Sequence, residues 1–181
     1  MSLAEIIRLK EDKLRFIKDH EVAAVYDADG NLVIEIHGSA SSVDLGPYID
    51  DIRDVGKATL VHNHPLGWQY PLSDPRHAGS SFSPEDIATA CYAELIEIRA
   101  ITPLYRFSMR PADAETWDAN YWLDKIFPVL EKQKATAIRT TLESVKAYKT
   151  KKEVAEADFW HRVWLRMATD LPLSYERYKY E

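Results

Sequence analysis

The chain carries a single cysteine, Cys91, which excludes an intrachain disulfide framework and makes a reducing, cytoplasmic setting the expectation. Basic residues are in deficit: 23 Lys and Arg stand against 29 Asp and Glu, for a formal net charge of -6. That balance disfavours a polyanion as the main partner, so no nucleic acid is expected. Uninterrupted apolar runs of membrane-spanning length are missing, so no membrane insertion is expected. The opening MSLAEIIRLKEDKLRF is amphipathic and heavily charged, unlike the basic start and apolar stretch of a signal peptide. Internal repeats and low-complexity tracts are also absent. What is present is an ordinary globular composition, 46% hydrophobic and 29% charged over 181 residues. A chain of this size buries a substantial core without disulfides, as one domain or one domain with a helical appendage.

Periodicity divides the chain. Leu3, Ile6, Ile7, Leu14 and Ile17 recur at helical spacing over 3–19. EVAAVY (21–26) and NLVIEI (31–36) flank Asp27-Ala-Asp29-Gly30, a hairpin signal. A short helix is expected within 43–56, starting near Pro47, and KATLVHNH (57–64) reads as a strand running into Pro65. The Pro-, Gly- and Ser-rich stretch 65–82 reads as a loop. A helix then begins at Ser83-Pro84-Glu85-Asp86, with Ile87, Cys91, Leu95 and Ile98 as its apolar stripe. Tyr105, Phe107 and Met109 alternate with Arg106, Ser108 and Arg110 as a strand does. Beyond about residue 112 the pattern predicts helices alone, kinked or separated at Pro128. Their apolar stripes are Ile138, Leu142, Val145 and then Trp160, Val163, Trp164, Met167. The fold class expected is α/β, a mixed sheet flanked by helices over residues 1–111, with a helical C-terminal extension over 112–181.

Chemistry concentrates in His62-Asn63-His64-Pro65 and Ser83-Pro84-Glu85-Asp86. Side chains at i and i+2 of a strand share a face with Cα atoms roughly 6.5–7 Å apart. Two imidazoles so placed can converge on one ion at Zn–N distances of about 2.0–2.1 Å. The pair sits where a strand emerges at its C-terminal end, a favoured ligand position in α/β sheets. Ser83-x-x-Asp86 is by itself a helix N-terminus, with Ser83 as N-cap, Pro84 at N1 and Asp86 at N3. Capping is compatible with a second role, because a capped first turn holds both side chains rigidly on one side. A His, His, Asp set leaves a fourth zinc position for water, as catalytic sites do.

His-x-His-Pro at a strand end followed by Ser-x-x-Asp opening a helix resembles the JAMM or MPN+ (JAB-domain) metallopeptidases. A glutamate opening a strand, a D-x-D-G turn, a second strand and a Gly extend the likeness, over roughly residues 20–110, to the bacterial RadC-type and phage-associated branch. The resemblance implies a JAB/MPN-like (cytidine-deaminase-like) fold and a Zn2+ cofactor held by His62, His64 and Asp86. It also implies Ser83 as the group steadying the water and developing oxyanion, and Glu21 as general acid/base, with Glu35 on the next strand as its rival. The implied substrate is a polypeptide, cleaved at a peptide or isopeptide bond within a ubiquitin-like or flexible C-terminal segment. A non-catalytic module on the same scaffold, docking a partner through its helical tail, is the alternative, and a non-peptide amide a further substrate.

One departure is clear: residues 65–82 separate His64 from Ser83, where the family pattern is compact. Trp68, Tyr70, Asp74 and His77 in this insertion suggest a lid or substrate-selecting loop. Ser73-x-x-Arg76 lacks the acid, so Ser83–Asp86 is the pairing that fits. The remaining residues take plainer roles. Cys91 belongs on an apolar helix face, where a thiol behaves as a small hydrophobe. His20, His37 and His161 read as structural or surface residues, His77 as an exposed loop residue, and Asn63 as a loop-fixing group. Contiguous His-Asn-His in one strand does not build an HNH nuclease, whose residues are dispersed through a ββα unit.

Overall fold

Six strands form one mixed sheet in the computed structural model, which describes residues 1–112 and 116–180. In chain order they are β1 (Val22–Tyr26), β2 (Leu32–His37), β3 (Thr59–Asn63), β4 (Glu97–Ile101), β5 (Tyr105–Pro111) and β6 (Leu173–Lys179). The spatial order is β2-β1-β3-β4-β5-β6. β3 and β4 run parallel, and the other neighbours are antiparallel.

Helices cover both faces because the central strands bury both of theirs. Val22, Ala24, Tyr26, Val61 and Ile101 pack beneath Ile7 and Leu14 of α1 (Leu3–Leu14). Ala23, Val25, Leu60, Ile98 and Phe107 point the other way. There they meet α2 (Ile49–Val55) through Ile52, and α3 (Pro84–Tyr92) through Ile87 and Cys91. A short turn, α4 (Ala119–Tyr121), and a long helix, α5 (Phe127–Lys146), are followed by α6 (Lys152–Ala157) and α7 (Phe159–Asp170). Val163, Trp164 and Met167 of α7 are completely buried in the same core. Among the described residues no helix is long and apolar enough to cross a membrane.

The helix expected to run through Ile98 stops at Tyr92, and β4 takes over at Glu97. The stop is a Schellman-type closure in which Leu95 N–H donates to Ala90 O at 2.9 Å and Glu94 N–H to Cys91 O at 3.1 Å. Its left-handed residue is Glu94 (φ +53°), where glycine is usual, so the signal was invisible in the residue types. The 4, 4, 3 apolar spacing therefore continues by coincidence from a helix onto a strand.

The helix-only expectation for the C-terminal region is corrected at 173–179. β6 pairs with β5 residue for residue from Leu173↔Pro111 to Lys179↔Tyr105. As an edge strand it buries little, so no apolar alternation announces it. Instead Arg177 lies over the Tyr105 ring at 4.8 Å and Arg106 over Tyr178 at 4.8 Å. Pro128 neither breaks nor separates the helix. A π turn at Trp122–Ile126 runs directly into α5 and absorbs the N–H that proline lacks. The stripe of Ile138 and Leu142 faces outward, 43% and 53% exposed, while Leu130 and Ala137 form the buried side of α5.

Candidate metal centre

β3 delivers His62 one residue before its end, paired with Ala23 on β1 and Ala100 on β4. His64 lies just past the strand, yet its N–H still donates to Ile101 O at 2.7 Å, which preserves the shared face. Pro65 then turns the chain into a 3-10 segment (Pro65–Gln69). The result is two imidazoles with ring planes inclined at 69°, ring centroids 4.7 Å apart and Nε2 atoms 2.9 Å apart.

Asp86 arrives from the first turn of α3. Its Oδ2 accepts the Ser83 N–H at 2.7 Å, and Ser83 Oγ accepts the Asp86 N–H at 3.1 Å, a reciprocal capping box. The same carboxylate stands 3.4 Å from His62 Nε2 through Oδ1 and 3.5 Å from His64 Nε2 through Oδ2. Cap and ligand positions thus coexist, with Oδ1 free of the cap. One donor atom from each of His62, His64 and Asp86 falls within 4.8 Å of the others, the arrangement of a group able to hold a metal.

The donor set fits zinc. A tetrahedral ion with bonds near 2.05 Å separates its ligand atoms by about 3.3 Å; here the two Nε2 atoms are 2.9 Å apart and His62 Nε2 is 3.4 Å from Asp86 Oδ1, with His64 Nε2 3.5 Å from the other oxygen of the same carboxylate. His64 Nδ1 donates to Ser80 O at 2.9 Å, so that in the neutral ring Nε2, beside Asp86 and His62, carries the lone pair. His62 Nδ1 is buried and makes no hydrogen bond among the described residues, whereas His64 has its outer partner in Ser80 O. Electrostatics follow the geometry. Burial opposes a charge on His64, but the Asp86 carboxylate, the Ser80 carbonyl and Glu21 outweigh it and raise the imidazole to about 9. Burial likewise opposes ionisation of Asp86, yet the two histidines hold its carboxyl well below the usual range.

Glu21 lies immediately before β1 and is 8% exposed. It lines the same cleft as His62, His64, Ser83 and Asp86, a cavity of about 440 Å³. Burial raises its carboxyl above the ordinary value, partly offset by His64 and His62. Glu35 does not compete: it pairs with Ala24 on the α1 face and forms an ion pair with Lys10. Asn63, on the far side of β3, secures the strand start. Its Oδ1 accepts Val22 N–H at 2.7 Å and its Nδ2 donates to Ile17 O and His20 O.

The 65–82 insertion mostly folds on itself. Trp68 donates to Arg15 O at 3.0 Å, and His77, 4% exposed, contacts Tyr70 O at 2.8 Å and packs edge-on against Trp68. Buried His77 contradicts the exposed loop residue expected. Trp68, Tyr70, Asp74 and His77 do not line the cleft; Leu66, Ser80 and Ser81 are what this segment contributes to it.

Three residues that sequence reasoning missed anchor that contribution. Ser80 O holds His64, Ser81 Oγ meets Tyr175 Oη of β6 at 2.8 Å, and Phe82 O accepts Trp164 Nε1–H of α7 at 2.8 Å. Tyr175 Oη in turn contacts His161 Nδ1 at 2.8 Å. Trp160, expected in the apolar stripe of α7, lines the cleft. A carbonyl carries no residue-type signature, so no sequence signal could have revealed the Ser80 and Phe82 anchors. Cys91 is fully buried with its thiol pushed up by burial, which leaves it inert.

The chain is therefore an α/β protein with a six-stranded mixed sheet whose cleft gathers a His-His-Asp group beside a buried glutamate. No family model, curated protein or solved structure matches it.

Proposed function

We propose that the chain is a zinc-dependent amide hydrolase of the JAMM type, acting on a peptide or isopeptide bond. The observation that carries this reading is convergence: His62, His64 and Asp86 present three donor atoms within 4.8 Å, and Glu21 lines the same cleft. His62 Nε2, His64 Nε2 and Asp86 Oδ1 would hold the ion. Bound there, zinc supplies Lewis acidity to a substrate carbonyl and to a water.

The chain's own groups account for the rest. Asp86 balances the charge and, through its cap, keeps Ser83 beside the ligands. Ser83 Oγ accepts from Asp86 N–H, so its own hydroxyl proton is free to donate to an oxyanion forming in the cleft. Glu21, raised by burial, takes the proton of the attacking water and returns it to the departing amine. Ser80 O holds His64 in the tautomer that leaves Nε2 as donor atom. The cleft walls add Leu45, Leu66 and Trp160, apolar surface suited to an extended polypeptide segment.

The test pairs metal content with turnover. Wild type and Glu21→Gln should both retain zinc, while the variant loses about 10²- to 10⁴-fold in hydrolysis of a peptide library. His62→Ala/His64→Ala should lose the metal from this centre. Zinc content at this centre unchanged in the double-histidine variant would refute the ligand assignment. Full zinc binding with turnover unaffected in Glu21→Gln would instead favour a non-catalytic module.

A further inference from the structure

A second pair of histidines lies on the opposite face of the sheet. His37 ends β2 in register with Val22, whose side chain packs under α1, whereas Ala23 and His62 face the cleft side. His20 Nε2 and His37 Nδ1 stand 3.1 Å apart, with the rings stacked at 5.3 Å and 29°. Each ring's other nitrogen faces a carboxylate: His20 Nδ1 is 2.8 Å from Asp19 Oδ1, and His37 Nε2 is 3.4 Å from Glu35 Oε1.

Those carboxylates favour one tautomer of each ring, at His20 through a hydrogen bond and at His37 through a longer ion-pair contact. An ionised carboxylate accepts only, so the nitrogen beside it carries the proton. His20 is then protonated at Nδ1 and His37 at Nε2. In those tautomers the two nitrogens that face one another both carry lone pairs, and at 3.1 Å they are held together only by a proton or a metal cation between them. Imidazoles whose outer nitrogens are held by carboxylates are also the usual form of histidine metal ligands.

We infer that His20 and His37 form a second metal site, for a divalent transition cation that prefers imidazole, such as Zn2+ or Ni2+. His20 Nε2 and His37 Nδ1 are its protein donors, and solvent completes the coordination. The site is accessible, with His37 59% and His20 32% exposed at the side chain. Its framework is rigid: Glu21 N–H donates to Ser39 O at 2.7 Å, Gly38 N–H to Glu21 O at 2.8 Å, and Asn63 Nδ2 to His20 O at 3.1 Å. A cation here ties residues 19–21 to the end of β2, and so braces the backbone that carries Glu21. The site is independent of the His62–His64–Asp86 centre.

Equilibrium dialysis of the full chain against Zn2+, with metal quantified in the protein, tests it. Wild type should take up two equivalents, the second more weakly. His20→Ala and His37→Ala should each lose the weaker one, while His62→Ala/His64→Ala keeps it. Uptake of a single equivalent that His37→Ala leaves intact overturns the proposal, as does a second equivalent that survives in His37→Ala. Nitrogen-15 spectra of the metal-free protein add a check on the premise, with Nδ1–H expected on His20 and Nε2–H on His37. The reverse tautomer on either ring would make the contact an ordinary hydrogen bond and remove the reason for a cation.

Discussion

Asp86 has two separable jobs, and two substitutions separate them. Asparagine keeps an oxygen to accept Ser83 N–H but removes the charge; alanine removes both. The charge supports a protonated His64 in the metal-free protein, whose pKa is raised to about 9. Taking 6.5 as the unfolded value, that raised pKa contributes at most about 3 kcal/mol, at roughly 1.4 kcal/mol per pH unit. The contribution is fully present below pH 6.5, declines as pH rises and is largely gone at pH 9. In EDTA, therefore, Asp86→Asn should melt up to about 6–12 °C below wild type near pH 6, and the gap should nearly close at pH 9. Asp86→Ala should lie about 1 kcal/mol, or about 2–4 °C, lower still at both pH values for the lost cap.

Metal completes the dissection. At zinc a thousandfold above its Kd, wild type gains about 4 kcal/mol of stability, or about 8–16 °C. Both Asp86 variants should lose most of that increment. Differential scanning calorimetry with and without zinc reads all of these quantities. An Asp86→Asn protein with the wild-type zinc increment would reduce Asp86 to a helix cap and remove it from the centre.

Trp164→Phe strands the Phe82 carbonyl and opens space in a fully buried position, so it should cost about 2–4 kcal/mol in denaturant titration and weaken zinc binding through the Ser80–Ser83 segment; unchanged zinc affinity would show that the C-terminal helices do not position the centre. His161 is lowered to about 4 by burial and by Arg177, so its depressed folded pKa contributes stability that is present above pH 6.5 and lost as pH falls through 4. His161→Gln should flatten that acid limb by about 2 kcal/mol in pH-dependent melts, and an unaltered limb would reject the assignment. Glu94→Gly places glycine at the left-handed helix stop and should raise stability by about 1 kcal/mol, whereas a destabilised variant would deny that Glu94 is strained there.

Local rules were enough for the parts of the molecule that local rules govern. Alternation put His62 and His64 on one strand face, and the Ser-Pro-x-Asp pattern located the start of α3. The α/β class followed from strand and helix periods over the first 111 residues. Where a helix ended without glycine, at Glu94, β4 went unread, and where a strand lacked apolar alternation, at 173–179, β6 did too.

Sheet register decided the remainder. It turned Glu21 toward the histidines and Glu35 toward Lys10, a choice no spacing along the chain contains. Tertiary packing also brought Trp164 and Tyr175 onto Phe82 and Ser81, and set His20 against His37. The residue types present in the sequence determined which chemistry was possible at the centre. Which of them meet was decided by long-range backbone pairing, because a carbonyl acceptor and a cross-strand neighbour have no local signature.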